Sequence, residues 1–495
     1  MREISRAEFL AVLTGAAAGA IASGVVGGAP AGADPVAAGP ISVLSGATLI
    51  DGTGAPPRPD TTIVLAGDRI VAAGGFADLP LPPQVRLVDL TGKFVIPGLW
   101  DMHTHVTSAE QFFPPLHVVN GVTGVREMWG DPQTHDLRRR IELGQAFGPR
   151  IVIASNIIDG PPGIWPGSEV ASTGTEARAA VRRAAQGGAD FIKVYSLLSR
   201  AALTAIADEA NKIGLRFAGH VPNLIPVQEA VDLGQYTIEH MYGMLLSTSS
   251  RADELYAEIE ADPDGWRANR IRLEQTAAET HSPERAAALI DQMIRHNCWQ
   301  SPTLVVQQRL MTGRPPGDPD DERLRYLPAY FQQMWQGQAA ALPVEQTAVL
   351  QRNYAARLRL LATMYEAGVG IVAGTDAGNP FVFPGFALHE ELELLVQAGL
   401  SPMRTLQAAT RDAARCLGMA HLTGTVEPGK FADLVVLDGD PLVSIGNTRR
   451  IHAVVCRGQY LAPEDRDRIL REVETAAEQV NSAPPPDGPR GGCCG

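Results

Sequence analysis

The stretch that decides the fold reads IPGLWDMHTH over residues 96–105. An apolar run leads into His103 and His105, which are separated by one residue. Side chains two positions apart on a β-strand point to the same face, so both imidazoles can reach one metal ion. Many inert proteins carry the same alternation, so the pair alone predicts little.

Short apolar runs alternate with helical segments from Phe94 onward, a pattern typical of repeated βα units. We count eight candidate strands, the number that a (β/α)8 TIM barrel requires. They are Phe94–Met102, Val122–Met128, Ile151–Ser155, Phe191–Tyr195, Arg216–Gly219, Thr237–Glu239, Trp299–Val306 and Val369–Thr375. The sequence therefore predicts an α/β chain built on a TIM barrel.

Four further polar residues interrupt or directly follow these strands: Lys193, His220, His240 and Asp376. Each lies where the carboxyl end of a barrel strand is expected, and this face carries catalysis in the fold. One buried histidine is ordinary in a core. Four histidines, a lysine and an aspartate at the same end of a barrel predict a catalytic centre.

Strand-like sequence flanks the barrel on both sides, at 41–90 and again at 433–437 and 452–457. We predict one small β-sandwich-like domain made from both chain ends, with residues 34–93 and 424–462 around a barrel domain of residues 94–423. A C-terminal helix and a disordered tail are expected over 463–495. Two polar stretches, Tyr242–Asn297 and Gln307–Leu361, are interpreted as insertions in βα loops, where barrel enzymes build a lid or a substrate pocket.

Three motifs together resemble the amidohydrolase superfamily. IPGLWDMHTH resembles the signature that opens the family's barrel, and GTDAG at 374–378 resembles its strand-eight motif. GTVEPGKFADLVV at 424–436 is similar to the return into the family's small β domain. Lysine on strand four followed by histidines on strands five and six is most similar to the branch of prolidases (Xaa-Pro dipeptidases) and imidazolonepropionase-like hydrolases.

The resemblance implies a binuclear metal centre. His103, His105 and Asp376 would hold one divalent ion, and His220 and His240 a second. Nitrogen and carboxylate ligands suit zinc, so we expect two Zn²⁺ ions.

Lys193 is implied to bridge both ions as a carbamate formed with carbon dioxide. That reaction needs the neutral amine, which burial and neighbouring cations favour. The alternative is a Lys193 ammonium that pairs with Asp376 or Glu239 in a site with one metal ion or none.

The implied reaction is hydrolysis of a C–N amide or peptide-type bond in a dipeptide, an N-acyl amino acid or a related amide. A water between two metal ions loses its proton near pH 7 rather than about 15.7, and the hydroxide attacks the carbonyl. Asp376 would accept the proton and pass it to the leaving amine. The same site permits hydrolysis of a cyclic amide, an ester or a lactone, and a metal-free scaffold homologue is the non-enzyme alternative.

Two residues are candidates for substrate binding. Tyr195 shares a strand face with Lys193, and the resemblance implies contact with a substrate carboxylate; filling of the barrel mouth is the alternative. Arg126 could pair with an anionic substrate, or with Glu127 or Asp131. His220 is followed by Val-Pro rather than the family's His-Ala-x-Gly string, which argues against direct transfer of dipeptide specificity.

His389, Glu390 and Glu391 form a group that could suggest another metal site. A helix over 387–398 with solvated carboxylates explains the group equally well, so we predict no metal site there.

The first 33 residues predict an export signal. Arg2 and Arg6 precede the uncharged stretch 10–29, and small-residue cleavage patterns follow over 29–33. Residues 5–10 resemble a twin-arginine motif whose second arginine is replaced by alanine. We expect an exported protein, in the periplasm, the cell envelope or outside the cell. The alternatives are an uncleaved membrane anchor, a disordered tail, or a cytoplasmic protein whose signal is not functional.

The composition limits the classes of partner that this protein is expected to bind. The net charge of −13 argues against nucleic-acid binding, and no run beyond the signal is long enough to cross a membrane. The five cysteines form neither a zinc-thiolate pattern nor a disulfide framework, and the Cys493-Cys494 pair is assigned no function. The expected partner is a small-molecule or short-peptide substrate, with a homo-oligomer left open.

Overall fold

The structure is a computed structural model that describes residues 41–75, 85–105, 107, 109–311, 321–338 and 343–481. The predicted export signal and the Cys493-Cys494 pair lie outside these residues and stay predictions. Within them, no helix is long and apolar enough to span a membrane.

The described residues form sixteen strands and sixteen α-helices. The strands are β1 (Ile41–Leu49), β2 (Arg58–Ala66), β3 (Arg69–Gly74), β4 (Arg86–Asp89), β5 (Phe94–Pro97), β6 (Leu99–Thr104), β7 (Val122–Glu127), β8 (Arg150–Asp159), β9 (Glu169–Val170), β10 (Phe191–Val194), β11 (Phe217–Gly219), β12 (Thr237–Glu239), β13 (Trp299–Ser301), β14 (Leu434–Leu437), β15 (Ile451–Cys456) and β16 (Gln459–Leu461). The helices are α1 (Phe113–Val119), α2 (Pro132–Glu142), α3 (Gly174–Gln186), α4 (Arg200–Ile213), α5 (Val227–Asp232), α6 (Met244–Ser247), α7 (Ala252–Ala261), α8 (Trp266–Glu279), α9 (Pro283–Arg295), α10 (Leu304–Met311), α11 (Ala329–Gln338), α12 (Val344–Ala367), α13 (Phe386–Gln397), α14 (Pro402–Ala408), α15 (Arg411–Leu417) and α16 (Pro463–Asn481).

The chain divides into two compact units. The described parts of residues 1–99, 118–123 and 402–468 form the small unit, and those of 100–117, 124–401 and 469–495 form the barrel unit.

The small unit is built on an eight-stranded sheet drawn from both ends of the chain. Its strands run in the order β16-β15-β14-β5-β1-β2-β3, with β4 beside β1. Apolar residues alternate along these strands, and Leu44, Ile63, Val95, Leu434 and Val455 meet in one buried cluster. This unit confirms the prediction of a small β domain made from both chain ends.

The barrel unit is built on parallel strands in the order β13-β12-β11-β10-β8-β7-β6, with the short β9 beside β8. Helices follow most of these strands and bury one apolar side. In α4, for example, Ser199 caps the first turn, Leu203 and Ile206 are buried, and Gly214 ends the helix in a left-handed conformation. The prediction of a TIM barrel is confirmed.

The predicted eighth strand is not a regular strand. The backbone of 370–377 divides its hydrogen bonds between two neighbours, with Val372 N donating to Gln300 O at 2.9 Å and Met102 N donating to Ala373 O at 2.9 Å. The contacts with each neighbouring strand therefore stay isolated bridges rather than a continuous ladder. This segment nevertheless joins β13 to β6 and so closes the ring.

Of the other predicted strands, only Thr237–Glu239 has its predicted bounds, and two of the differences have a clear local cause. The run 94–102 is split at Pro97-Gly98 into β5 and β6, at a proline that has no N–H to donate to a ladder. The run 299–306 ends at Ser301, because Pro302 cannot donate to a ladder and Thr303 adopts a φ of +46°. Helix α10 then begins at Leu304.

Candidate metal centre

All six predicted metal ligands lie at the carboxyl ends of the barrel strands. His103 is on β6 and His105 directly follows it, while Lys193 is on β10. His220 and His240 follow β11 and β12, and Asp376 lies on the segment that closes the barrel. Each of these residues is buried.

The backbone takes unusual conformations where it delivers these side chains. His240 and Asp376 have φ values of +58° and +65°, in a region that L-residues other than glycine rarely adopt. Gly219, just before His220, has a φ of +136°, and a Cβ there would lie 2.1 Å from Val194 O. Such strain is typical of functional sites, where the surrounding structure holds it in place.

Asp376 lies at the centre of the cluster. Its Oδ1 is 3.0 Å from His105 Nε2 and 3.5 Å from His103 Nε2, and its Oδ2 is 3.8 Å from His240 Nε2. The ligand atoms of His103, His240 and Asp376 all lie within 4.8 Å of one another. The His220 ring lies 4.9 Å from the His240 ring, centroid to centroid, and extends the cluster to one side.

Three of the histidines use Nδ1 for a fixed hydrogen bond. His103 Nδ1 lies 2.8 Å from Glu239 Oε2, His240 Nδ1 lies 2.6 Å from Thr303 Oγ1, and His220 Nδ1 lies 2.7 Å from Ser196 Oγ. Since Thr303 Oγ1 donates its own proton to Pro302 O, it must accept from His240 Nδ1–H. The Glu239 carboxylate likewise accepts from His103 Nδ1–H. In both rings Nε2 then carries the lone pair.

The Nε2 atoms of His103, His220 and His240 are buried and have no hydrogen-bond partner among the described residues. A buried nitrogen without a partner is costly, and a metal ion is the usual explanation when its ring is held through Nδ1. The donor set of imidazole nitrogens and a carboxylate oxygen suits a divalent ion such as zinc. The residues present therefore fit the metal that the sequence predicts.

Electrostatics keep the imidazoles neutral, as metal binding requires. Burial, followed by the charge of Lys193, lowers the pKa of His103 well below its ordinary value. Burial also lowers the pKa of His240 to about 4. Burial is also the main reason why the pKa of His220 lies well below its ordinary value, followed by the nearby His240 and Lys193.

Asp376 stays ionised in this setting. Burial alone would raise the pKa of its carboxyl group, but the nearby His103, His105 and His240 outweigh burial and hold the pKa below its ordinary value. A buried carboxylate that stays ionised among imidazoles is suited to bind a cation.

A model of the amidohydrolase family matches residues 94–461, most of the chain. The chain belongs to the amidohydrolase family. It is accordingly a hydrolase that acts on carbon–nitrogen bonds, as the three motifs predict.

Individual relatives are distant. The amidohydrolase is 24% identical to an imidazolonepropionase of Shouchella clausii over 76% of the chain and 79% of that protein. Its 34% identity to the imidazolonepropionase of Geobacillus kaustophilus extends over 24% of the chain and only 27% of that protein. A crystal structure of a candidate prolidase from Bifidobacterium longum superposes with a TM-score of 0.63 at 26% identity, over 88% of this chain and 99% of the other.

Arg126 lies inside the barrel of the amidohydrolase and is fully buried. Its guanidinium donates to Met102 O at 2.6 Å, to Thr237 Oγ1 at 2.9 Å and to Glu239 Oε1 at 2.8 Å. These bonds favour a role in holding Glu239, and the substrate contact predicted for Arg126 stays a prediction.

Tyr195 faces the centre from one side of His220. Its ring stacks on the His220 imidazole with centroids 4.0 Å apart, and its hydroxyl accepts a hydrogen bond from Trp165 Nε1 at 2.8 Å. Tyr242 stacks on the other face of the same imidazole at 4.2 Å. The position of Tyr195 is compatible with both interpretations drawn from the sequence, substrate contact and filling of the barrel mouth.

The residues that hold the ligands in place were not predicted from the sequence. Asp101 accepts from His103 N at 3.1 Å and from Thr375 N at 2.9 Å, which ties β6 to the closing segment. Thr303 and Ser196 orient His240 and His220. Asp101 and Thr375 lie inside the two recognised motifs and could have been found there, whereas nothing local marks Thr303 or Ser196.

The interpretation of the carboxylates near His389 as solvated is wrong for Glu391. That carboxylate is fully buried and accepts from Val305 N at 2.8 Å, at the start of α10. Glu390 does lie nearer the surface, where it pairs with Arg309 and Arg323. The carboxyl group of Glu391 thus caps helix α10, which begins one residue after Thr303, the residue that orients His240.

Proposed function

We propose that this amidohydrolase cleaves a C–N amide or peptide-type bond with two divalent metal ions, most simply Zn²⁺. His103, His105 and Asp376 would hold one ion, His220 and His240 the other, and a carboxylated Lys193 both. The observation that carries the proposal is that the buried Nε2 atoms of His103 and His240 both lie next to Asp376, while the Nδ1 atoms of the same two rings are already bonded. When bound, such ions supply a water that ionises near pH 7 and polarise the substrate carbonyl.

Asp376 is the proposed general base. Its ionised carboxylate can accept the proton of the attacking water, and the same carboxyl group can then deliver that proton to the leaving amine. Its position among three imidazoles supports assigning it both roles, metal ligand and base. Removing it should therefore reduce metal binding and catalysis together.

Lys193 is the proposed bridging residue. The side chain is fully buried on β10, at the same end of the barrel as the ligand histidines. Burial disfavours an ammonium ion, and the neutral amine can add carbon dioxide with loss of one proton to give a carbamate.

The proposed substrates are dipeptides and N-acyl amino acids, and the prolidase-like crystal structure supports this choice. A cyclic amide is the second candidate, because the relative from Shouchella clausii, which aligns over 76% of the chain, is an imidazolonepropionase. Esters and lactones remain open on the same site.

The test is a substrate panel with matched variants. Wild-type protein should hydrolyse at least one Xaa-Pro dipeptide or N-acyl amino acid, while Lys193→Ala should be inactive and should regain activity with added short-chain carboxylic acids. Wild-type activity of Lys193→Ala without such acids would contradict the bridging role. Hydrolysis confined to cyclic imides or lactones would favour the second candidate.

A further inference from the structure

The loop that begins at Asp376 has an unusual backbone conformation. Asp376, Gly378 and Phe381 all have φ values in the left-handed region, at +65°, +107° and +59°. Two of these three residues are not glycine, so their side chains make the conformation costly. A backbone of this kind persists only where the surrounding structure holds it, and the direction of the Asp376 carboxylate depends on that support.

The loop and the barrel supply part of this support. Asp376 O accepts a hydrogen bond from Asn379 Nδ2 at 2.9 Å, within the loop itself. Ala377 O accepts from His105 N at 2.9 Å, directly after β6. These bonds hold the carbonyl groups of two successive residues, and the next carbonyl along the chain is that of Gly378.

An inserted helix holds this third carbonyl. Gly378 O accepts from Trp335 Nε1 at 3.2 Å, and Trp335 lies on α11, within the inserted stretch 307–361. The indole is fully buried and packs against two rings of the same loop, with centroids 5.6 Å from Phe381 and 5.2 Å from Phe383. One side chain of the insertion therefore contacts the loop through a hydrogen bond and through two aromatic rings.

Trp335 is itself fixed by a larger aromatic cluster in the barrel unit. Phe113 and Phe331 belong to this buried cluster and lie 5.4 Å apart, centroid to centroid. The Arg323 guanidinium lies 4.3 Å from the centroid of the Phe383 ring. A side chain in such a close-packed cluster cannot shift without moving its neighbours. The insertion thus gives the Trp335 N–H a defined position from which it holds the loop.

We infer that Trp335 is a positioning residue for Asp376, which keeps the carboxylate directed at the metal centre by fixing the Gly378 carbonyl. The inference rests on the ligand and base roles proposed for Asp376. It gives the inserted stretch a part in metal binding and in the chemical step, in addition to the lid or pocket expected from the sequence. Misplacing a catalytic group by about 1 Å can cost about 100-fold in rate.

The test compares Trp335→Phe with the wild type. Phenylalanine keeps an aromatic ring in the cluster but has no N–H for Gly378 O. We expect kcat to fall about 10-fold while KM changes by less than about 2-fold, because Trp335 acts through the loop and not on the substrate. The zinc affinity of the metal-free protein, measured by chelator competition, should also fall about 10-fold, the lower end of the losses typical for residues that support a ligand.

Two further variants separate the hydrogen bond from packing. Benzothienylalanine at position 335 has the shape of tryptophan with sulfur in place of the N–H, so it keeps the packing and should show the same losses. Trp266→Phe makes the matched change at a buried tryptophan at the start of α8. It should leave kcat and zinc affinity unchanged.

The outcomes distinguish this inference from the proposed function. Unchanged kcat and zinc affinity in the benzothienylalanine variant overturn the role of Trp335 and leave amide hydrolysis standing. Similar losses in Trp266→Phe also overturn it, since a general effect on packing would produce them. If the wild type cleaves no amide, the proposed function fails, while the zinc affinities of the metal-free variants still decide the role of Trp335.

Discussion

Glu239 Oε2 lies 2.8 Å from His103 Nδ1, while its Oε1 accepts from Arg126 at the same distance. Burial alone would raise the pKa of Glu239, but the charges of Arg126 and Lys193 hold it below the ordinary value. One carboxylate therefore fixes the ring of a ligand histidine and neutralises a buried arginine.

Replacing Glu239 with Gln should weaken metal binding and stability together. Loss of the carboxylate removes the partner that orients His103, and such losses typically cost about 10- to 100-fold in metal affinity. The same change leaves the Arg126 charge buried without a counterion, which costs about 3–5 kcal/mol of unfolding free energy. Chelator competition and urea unfolding measure the two effects.

The double variant Glu239→Gln/Arg126→Met is the control for the first effect. It removes the uncompensated charge, so stability should recover while metal affinity stays low. Recovery of both would mean that Glu239 acts on the metal centre only through the fold.

Thr303→Val should lower metal affinity without a large change of shape. The hydroxyl accepts from His240 Nδ1 at 2.6 Å and donates to Pro302 O, so valine leaves the imidazole without its acceptor. We expect about a 10-fold weaker retention of metal in a chelator competition assay. Thr303→Ser keeps the hydroxyl and should retain metal as the wild type does. Thr363→Val makes the same change at an exposed threonine and should also leave metal retention unchanged.

The buried carboxyl group of Glu391 should make the protein less stable in mild alkali. Burial raises its pKa to about 8. Between about pH 4.5 and pH 8 the folded chain therefore keeps a proton on this group that the unfolded chain has released. The stability that the protonated group contributes is fully present below about pH 4.5 and is lost as the pH rises through about 8. Glu391→Gln keeps an acceptor for Val305 N–H but cannot ionise, so its unfolding free energy should fall less between pH 5 and pH 9.

Urea unfolding at four or five pH values checks this prediction, with a difference in slope of at most about 1.4 kcal/mol per pH unit. Glu366→Gln, at an exposed position, is the matched control. Parallel pH profiles for wild type and Glu391→Gln would show that Glu391 is ionised in the folded protein.

His117 should have the opposite effect, in acid. Its ring is fully buried, and burial lowers its pKa to about 3. Between about pH 3 and pH 6.5 the unfolded chain therefore binds a proton on this ring that the folded chain does not bind. The stability that the neutral ring contributes is fully present above about pH 6.5 and is lost as the pH falls towards about 3. His117→Leu should flatten that acid dependence in urea unfolding, while the exposed His421→Leu should not.

The ligands themselves could be predicted from the sequence, because strand alternation and strand ends are local properties. His103 and His105 follow from a period of two, and Asp376 from its place after an apolar run. The structure of the closing segment that carries Asp376 could not be predicted in the same way. Its hydrogen bonds alternate between β13 and β6 and produce no regular strand. A local pattern cannot show how hydrogen bonds are divided between neighbours.

Contacts between distant segments could not be predicted. The Arg126–Glu239 pair joins residues 113 apart in the chain, and the sequence suggested nearer carboxylates for Arg126. The helix that carries Glu391 was predicted correctly, but the exposure of its side chain was not. The first turn of α10 packs against the Glu391 carboxyl group and buries it. Burial of a polar helix residue depends on what packs against it, and that is a property of the whole fold.

The binuclear centre is tested most directly by counting metal ions in active wild-type protein. Activity should be measured against bound metal as a chelator removes the ions and zinc restores them, with metal content determined by inductively coupled plasma mass spectrometry. We predict that activity rises with bound metal and is complete only when about two ions are bound per chain. Full activity in protein that holds no divalent metal would contradict the proposed centre.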